Sequence, residues 1–190
     1  MPAAAKWERC FADDVCDAMV AGFPEWPATH IETRAGYGTV ATRRSAVPPP
    51  QFLTVAFGLA VEIGAALDLD VNAVQAAVVR YGPGDEFTRH RDREANRPET
   101  HDRTVSYSLL LSDPADFDGG ALIVDGLDTE LGRGDLVAFS ATTWHEVAPV
   151  TAGERLVLIA FGLWRVSAPP VTHDGALEGA AGLEPATDGL

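Results

Sequence analysis

The stretch GRGDLVAFSATTWHEVAPVTAGERLVLIAFGLW, residues 132–164, decides the expected fold of this chain. Runs rich in Val, Leu, Ile and Phe alternate in it with the turn sequences GRGD and TAGE, as in antiparallel strands joined by short turns. The pattern begins at Val74 and predicts the strands AAVVRY (76–81), TVSYSLLL (104–111), ALIVDG (121–126), DLVAFS (135–140), HEVAPV (145–150) and RLVLIAFGLW (155–164). This spacing is typical of a β-sandwich or jelly roll.

Two packing helices are predicted before these strands. Apolar residues recur every three to four positions from Phe11 to Phe23 and again from Phe52 to Leu67, after the PPP of residues 48–50. Helices first and strands after predict an α+β domain, a double-stranded β-helix (jelly roll) with N-terminal packing helices. We expect one domain over residues 1–167, with its jelly-roll core at about 74–165, and a flexible acidic tail over 168–190.

Charge and composition narrow the classes of function. The chain has 14 basic and 28 acidic residues, a formal net charge of −14, which disfavours binding to nucleic acid or to anionic lipid. It contains no apolar run of membrane-spanning length, and its first residues do not resemble a secretory signal. Cys10 and Cys16 are expected in the first helix as idle thiols. We therefore predict a cytoplasmic protein, while the oligomeric state is not predicted.

His90, Asp92 and His145 form the candidate metal site. His90 and Asp92 are separated by one residue, so both side chains can face one point from an extended chain. Alone, His-x-Asp is a weak signal, because a solvated surface pair is the common alternative. His145 follows the predicted strand DLVAFS and offers a third ligand. Two imidazoles and one carboxylate make the facial triad of non-haem Fe(II) oxygenases, which leaves coordination positions open.

Arg155 offers a cation at a suitable distance from this triad. It lies ten residues after His145, across the TAGE turn, where the next predicted strand begins. An extended 2-oxo acid would occupy two metal positions, and its far carboxylate would then need a cation. An arginine can hold a carboxylate in two hydrogen bonds, and facing sheets about 10 Å apart permit that reach. The alternative is a surface arginine paired with an acid.

Residues 81–92, YGPGDEFTRHRD, resemble the Y-x-x-G-x-x-F/Y-x-x-H-x-D segment of the prolyl-4-hydroxylase-like dioxygenases, which use 2-oxoglutarate and Fe(II). Residues 103–124 and 132–164 are similar to later segments of that family. These segments include its Asp-Gly-Gly-x-Leu turn and, near their end, its His-x-Val-x-Pro-Val and Gly-x-Arg motifs. The resemblance covers about half of the chain, Val79 to Trp164. Arginine at position 155, where many prolyl hydroxylases have lysine, points to the bacterial PKHD-type branch and weakens the case for peptidyl-proline as substrate.

The resemblance implies that His90, Asp92 and His145 bind Fe(II), that Arg155 binds the distal carboxylate of 2-oxoglutarate, and that Tyr81 lies beside this co-substrate. The implied reaction is hydroxylation by molecular oxygen of an amino acid, a peptidyl residue (proline or other) or a small natural product, with release of succinate and CO2. Related halogenases lack the carboxylate found here at Asp92, so hydroxylation is favoured over halogenation. No catalytic side chain is expected beyond the metal ligands, and ascorbate is a further candidate cofactor.

An arginine-rich segment between the ligands is a candidate lid. It contains Arg89, Arg91, Arg93, Arg97 and Arg103. If the segment covers the site, one of Arg91, Arg93 or Arg97 is expected to orient a substrate carboxylate. The acids between these arginines leave a self-neutralised loop as the alternative.

Other residues and other functions stay open at this point. His30, His101 and His173 lack a spaced carboxylate and are expected to be solvated or structural. Gly119 and Gly120 are expected at a turn or bulge with positive φ and without chemistry. The competing functions are a jelly-roll metal hydrolase or isomerase with the same triad, against which Arg155 argues, and a non-catalytic jelly-roll binding module.

Overall fold

A computed structural model describes residues 4–25, 28–30 and 44–165 of this 190-residue chain. In these ranges the helices are α1 (Asp13–Gly22) and α2 (Pro50–Ala66). The strands are β1 (Ala5–Trp7), β2 (Ala28–His30), β3 (Arg44–Ala46), β4 (Ala73–Tyr81), β5 (Phe87–His90), β6 (Arg103–Leu110), β7 (Phe117–Gly119), β8 (Leu122–Val124), β9 (Leu127–Asp128), β10 (Leu136–Ser140), β11 (His145–Val147), β12 (Val150–Gly153) and β13 (Arg155–Leu163).

These strands form a double-stranded β-helix, as the sequence predicts. The large sheet has the strand order β1-β10-β6-β13-β4-β3-β2, the smaller one has the order β5-β11-β8-β9, and β12 pairs with β7. All of these pairings are antiparallel. Val79, Val137 and Val157 of the large sheet share one apolar core with Leu122 and Val147 of the smaller sheet. The two sheets therefore face each other across an apolar interior.

The two helices pack on the outer face of the large sheet, away from that interior. Alternation along β13 sends Leu156 and Leu158 to the cluster that contains the helices and Val157 to the core between the sheets. The hydroxyl of Tyr107 on β6 donates to the backbone oxygen of Ala56 in α2 at 2.8 Å, which fixes the helix on the sheet. The interior between the sheets is thus left for the candidate site.

Several element boundaries differ from the predicted ones for identifiable reasons. Helix α1 begins at Asp13, so Cys10 precedes it, and the placement of Cys10 in the first helix was wrong. The predicted strand HEVAPV divides into β11 and β12, because Pro149 has no N–H for a continuous ladder. The N-terminal strands β1, β2 and β3 were missed, since three residues are too few to display a period of two.

Some predictions have no test within the described ranges. The acidic tail at 168–190 and His173 lie outside them, as does the side chain of His30. His101 is exposed, and its Nε2 lies 3.1 Å from the backbone oxygen of Ala95, in line with the expected structural or solvated role. Neither helix of the described ranges combines the length and the apolar character that crossing a bilayer would take.

Candidate functional site

Strand pairing brings the three predicted metal ligands together. Strands β5 and β11 are antiparallel neighbours, with His90 directly opposite His145 and their ring centroids 4.2 Å apart. Asp92 follows just after β5. Its Oδ1 lies 3.6 Å from Nε2 of His90 and its Oδ2 lies 3.3 Å from Nε2 of His145. One ligand atom from each residue lies within 4.8 Å of the others, so a single ion can contact all three.

Backbone carbonyls fix the orientation of both imidazoles. Nδ1 of His90 lies 2.8 Å from the oxygen of Thr88, and Nδ1 of His145 lies 3.0 Å from the oxygen of Thr143. Because a carbonyl can only accept, each neutral ring carries its proton on Nδ1 and keeps the lone pair of Nε2 toward Asp92. Nε2 of His90 is buried and has no hydrogen-bond partner among the described residues. This donor set fits Fe(II), and the carbonyls are the outer partners that metal-bound histidines have.

The electrostatics of the triad favour its metal-binding protonation state. Burial lowers the pKa of His90, and the neutral imidazole is the form that binds a metal. Burial alone would raise the pKa of Asp92, but the neighbouring His145 and His90 outweigh it and hold this pKa well below its ordinary value. The carboxylate therefore stays ionised.

Ser106 on β6 holds the carboxylate of Asp92 in place. Its Oγ donates to Oδ2 of Asp92 at 2.6 Å, and the serine is only 2% exposed. Nη1 of Arg103 donates to the backbone oxygen of Asp92 at 3.2 Å. Because Asp92 lies beyond the end of β5, these two bonds replace the strand pairing that positions the histidines. Ser106 was not predicted, because nothing in one sequence distinguishes it from other strand serines.

We expect Ser106→Ala to weaken metal binding by about 10- to 100-fold, the usual effect of losing a partner of a metal ligand. The physical reason is that the Asp92 carboxylate loses its donor and its fixed orientation. Anaerobic titration with Fe(II), or with Co(II) as a spectroscopic probe, measures the effect. Ser108→Ala removes a second buried serine of β6 and is the matched control, while Ser106→Thr keeps the hydroxyl. Equal losses in the two alanine variants would contradict the assignment.

Arg155 is a buried cation in the same interior. It begins β13 directly opposite Tyr81, the last residue of β4, and its Cζ lies 5.5 Å from the centre of the Tyr81 ring. Arg155 is 3% exposed, and its Nη1 has no hydrogen-bond partner among the described residues. Burial lowers its pKa, while Tyr81 acts in the opposite direction. A buried charge without an anion is costly, so the site is suited to the carboxylate of a ligand.

Gly120 leaves the space through which the Arg155 side chain passes. Gly119 and Gly120 have φ values of +77° and +67°, as the sequence analysis expects for a turn or bulge. A Cβ at Gly120 would lie 2.8 Å from Cδ of Arg155 and 2.9 Å from Cγ2 of Val150. Glycine is therefore needed at position 120 both for the positive φ of the turn and for the space that the Arg155 side chain occupies. The second requirement was not predicted from the sequence.

We expect Gly120→Ala to lower both the thermal midpoint of unfolding and the affinity for a ligand of Arg155. The positive φ alone costs about 1–2 kcal/mol for an alanine, and the new methyl group displaces Arg155. Gly126→Ala is the matched control, because Gly126 has φ +82° and open space around the position of its Cβ. Thermal unfolding with and without 2-oxoglutarate separates the two effects. If 2-oxoglutarate raised the thermal midpoint equally in both variants, the expected clash between the new methyl group at position 120 and Arg155 would be contradicted.

One cavity of about 510 Å³ contains the triad, Arg155 and Tyr81. Arg91 and Arg97 also line it, and the Cζ of Arg91 lies 4.5 Å from the centre of the Trp144 ring. Arg93 is exposed and does not line this cavity, so the structure does not bring it to the site. The candidate lid is shorter than expected, since its first and last arginines lie on β5 and β6.

Comparison with known proteins places these features in a family context. Residues 76–162 match the model of the 2OG-Fe(II) oxygenase superfamily. A PKHD-type hydroxylase of Picosynechococcus sp. is 38% identical over 86 residues, which cover 43% of this chain and 38% of that protein. A PKHD-type hydroxylase of Sphingopyxis alaskensis is 43% identical over 95 residues, which cover 44% of this chain and 41% of that protein. The alignments thus span about two fifths of these curated relatives.

The structural comparison extends over more of the chain. The crystal structure of a Pseudomonas putida prolyl-4-hydroxylase is similar to this chain with a TM-score of 0.69 and 26% sequence identity. The similarity covers 86% of this chain and 94% of that one. It therefore includes regions outside the part that matches the family model.

Proposed function

From the match of residues 76–162 to the model of the 2OG-Fe(II) oxygenase superfamily, we propose that the protein is a 2-oxoglutarate- and Fe(II)-dependent dioxygenase that acts as a hydroxylase. The observation that carries the proposal is a His-Asp-His triad that shares one cavity with a buried arginine, whose Nη1 has no hydrogen-bond partner among the described residues. A metal hydrolase or isomerase would need the triad but not the arginine. A binding module would need neither.

In the proposed site His90 and His145 bind iron through Nε2, and Asp92 binds it through a carboxylate oxygen. When bound, Fe(II) supplies the activation of dioxygen, coupled to conversion of 2-oxoglutarate to succinate and CO2. The residues of the chain contribute by holding the metal-binding groups in position. The carbonyls of Thr88 and Thr143 orient the rings, so that the metal-binding nitrogens are fixed before the metal arrives.

The distal carboxylate of 2-oxoglutarate binds to Arg155 in this proposal. Arg155 lines the cavity together with apolar residues, among them Leu122, Phe139 and Val157. These residues exclude water, and a charge-assisted hydrogen bond is stronger in such surroundings than in water. Tyr81 packs against the arginine and lines the co-substrate position. No further side chain is assigned a catalytic role.

The substrate of the proposed hydroxylase is an amino acid, a peptidyl residue (proline or other) or a small natural product. The names of the relatives support hydroxylation, and the Pseudomonas putida structure is that of a prolyl-4-hydroxylase. Arg91 and Arg97 line the cavity and are the candidates for contact with the substrate. Ascorbate as an accessory reductant and a cytoplasmic location stay predictions.

Anaerobic titration of the metal-free protein with Fe(II) and 2-oxoglutarate tests the proposal. Chelation of iron by a 2-oxo acid gives a weak visible charge-transfer band, which we expect to appear with saturation at one equivalent. Succinate in place of 2-oxoglutarate is the control, because it lacks the keto oxygen and should give no band. Admission of air should then yield succinate and CO2. Metal-loaded protein that gives no band would favour the hydrolase or isomerase.

A further inference from the structure

A second arginine of the cavity, Arg103, forms no ion pair with an acid of the described residues. Arg103 begins β6, and its Nη1 and Nη2 donate to the backbone oxygen of Asp92 at 3.2 Å and to Oε1 of Gln75 at 3.1 Å. Its Cζ lies 3.9 Å from the centre of the Phe161 ring. Nε is buried without a hydrogen-bond partner among the described residues. Both bonded acceptors are neutral, so neither of these hydrogen bonds is an ion pair.

The acids near Arg103 already have other partners. They are Asp92, Glu99 and Asp102. Asp102 and Glu99 each pair with a different arginine, at 3.1 Å and 3.4 Å. The carboxylate of Asp92 accepts from a serine and faces both histidines of the triad. All three act on Arg103 from nearby, but none forms a direct ion pair with it among the described residues.

2-Oxoglutarate does not provide Arg103 with an ion-pair partner either. In the proposed function its distal carboxylate binds to Arg155, and its other carboxylate and keto oxygen take the open metal positions. Both of its charged groups are then used. Arg103 pairs with Leu163, at the opposite end of β13 from Arg155. It contacts the backbone of Asp92 and lines the cavity together with Gln75 and Phe161. An anion at Arg103 must therefore belong to a second molecule bound beside the metal.

We propose that Arg103, supported by Gln75, binds the α-carboxylate of the organic substrate, so that the substrate is a free α-amino acid or the C-terminal residue of a peptide. This inference rests on the proposed function and names the substrate class of the same site. Arginine offers more N–H donors than its two existing bonds use, in a planar arrangement that suits a carboxylate. Phe161 and Val74 of the cavity lining supply apolar contacts for a side chain.

A hydroxylase must place a carbon of its substrate near the metal, and the position of Arg103 fits this requirement. A substrate held by its carboxylate at Arg103 is anchored next to the backbone of a metal ligand, so its side-chain carbons can reach the metal centre. A residue within a peptide chain has no carboxylate for this site, and an amide has no charge. The structure thus assigns to this chain a preference for α-carboxylates over internal peptide residues.

Substrate-dependent succinate formation under air, with Fe(II) and 2-oxoglutarate present, tests the inference. The probes are the standard L-amino acids and Gly-Xaa dipeptides, each with a free carboxylate and as its C-terminal amide, and capped tripeptides with the same Xaa inside. We expect stimulation by at least one acid, with a KM at least about tenfold lower than that of its amide. Arg103→Gln should raise the KM of the acid about tenfold or more and remove the difference between acid and amide.

Arg93→Gln is the matched control, because Arg93 is exposed and does not line the cavity; it should leave the preference for acids unchanged. Equal stimulation by amides or by capped tripeptides overturns the inference, as does the absence of stimulation by any acid. The anaerobic charge-transfer band reports the iron and 2-oxoglutarate site separately. A band without any preference for acids therefore refutes the substrate class alone, whereas a missing band refutes the proposed function.

Discussion

Replacing His145 with alanine is expected to abolish Fe(II) binding and, with it, all 2-oxoglutarate turnover. His145 offers one of the three candidate ligand atoms, its ring is held by the oxygen of Thr143, and its Nε2 lies 3.3 Å from Asp92. Losing an outer partner of a metal ligand costs about 10–100-fold in affinity, and loss of the ligand itself should cost more. Anaerobic Fe(II) titration and succinate formation are the measurements.

His101→Ala is the matched control for this loss. His101 is an exposed histidine whose Nε2 lies 3.1 Å from the backbone oxygen of Ala95, so its removal should leave iron binding intact. His145→Gln keeps a side chain of similar size and tests whether packing rather than ligation was lost. If either His145 variant, folded by circular dichroism, bound Fe(II) with the affinity of the unchanged protein, the assignment of the triad would be wrong.

The triad could be predicted from the sequence because residue spacing and turn signals locate its members. His90 and Asp92 are close by spacing alone, and His145 stands at the start of a β run that follows a turn. The spacing of residues does not predict the register in which His90 pairs with His145. The resemblance to a family with the same ordered motifs supplied that step.

The residues that support the ligands could not be predicted in the same way. Ser106 lies on the opposite sheet from His90, and only the packing of the two sheets shows that its hydroxyl reaches Asp92. The contact of Gly120 with Arg155 likewise joins two segments that are remote in sequence. For Arg103, the sequence suggested a place in a lid, whereas the structure shows a strand residue in contact with the predicted metal ligand Asp92.

Replacing Arg155 with methionine is expected to change ligand affinity and stability in opposite directions. The guanidinium is buried and its Nη1 has no partner among the described residues, so the ligand-free protein carries an uncompensated charge. Methionine fills a similar volume without that charge and should leave the thermal midpoint of the ligand-free protein equal or higher. The affinity for 2-oxoglutarate should fall roughly a hundredfold or more, since each hydrogen bond to a charged group contributes about 1.5–3 kcal/mol.

Thermal unfolding over a range of 2-oxoglutarate concentrations, with Mn(II) in place of Fe(II), measures both effects in one experiment. In the unchanged protein, 2-oxoglutarate at a hundred times its Kd should add about 2.7 kcal/mol of stability, and Arg155→Met should lose most of this gain at the same concentration. Arg155→Lys keeps the charge and should retain part of it. Arg80→Met, which removes an exposed arginine of β4 paired with Glu154, is the control. A purely structural arginine would give the reverse result, with a lower midpoint in the ligand-free Arg155→Met protein and an undiminished response to 2-oxoglutarate.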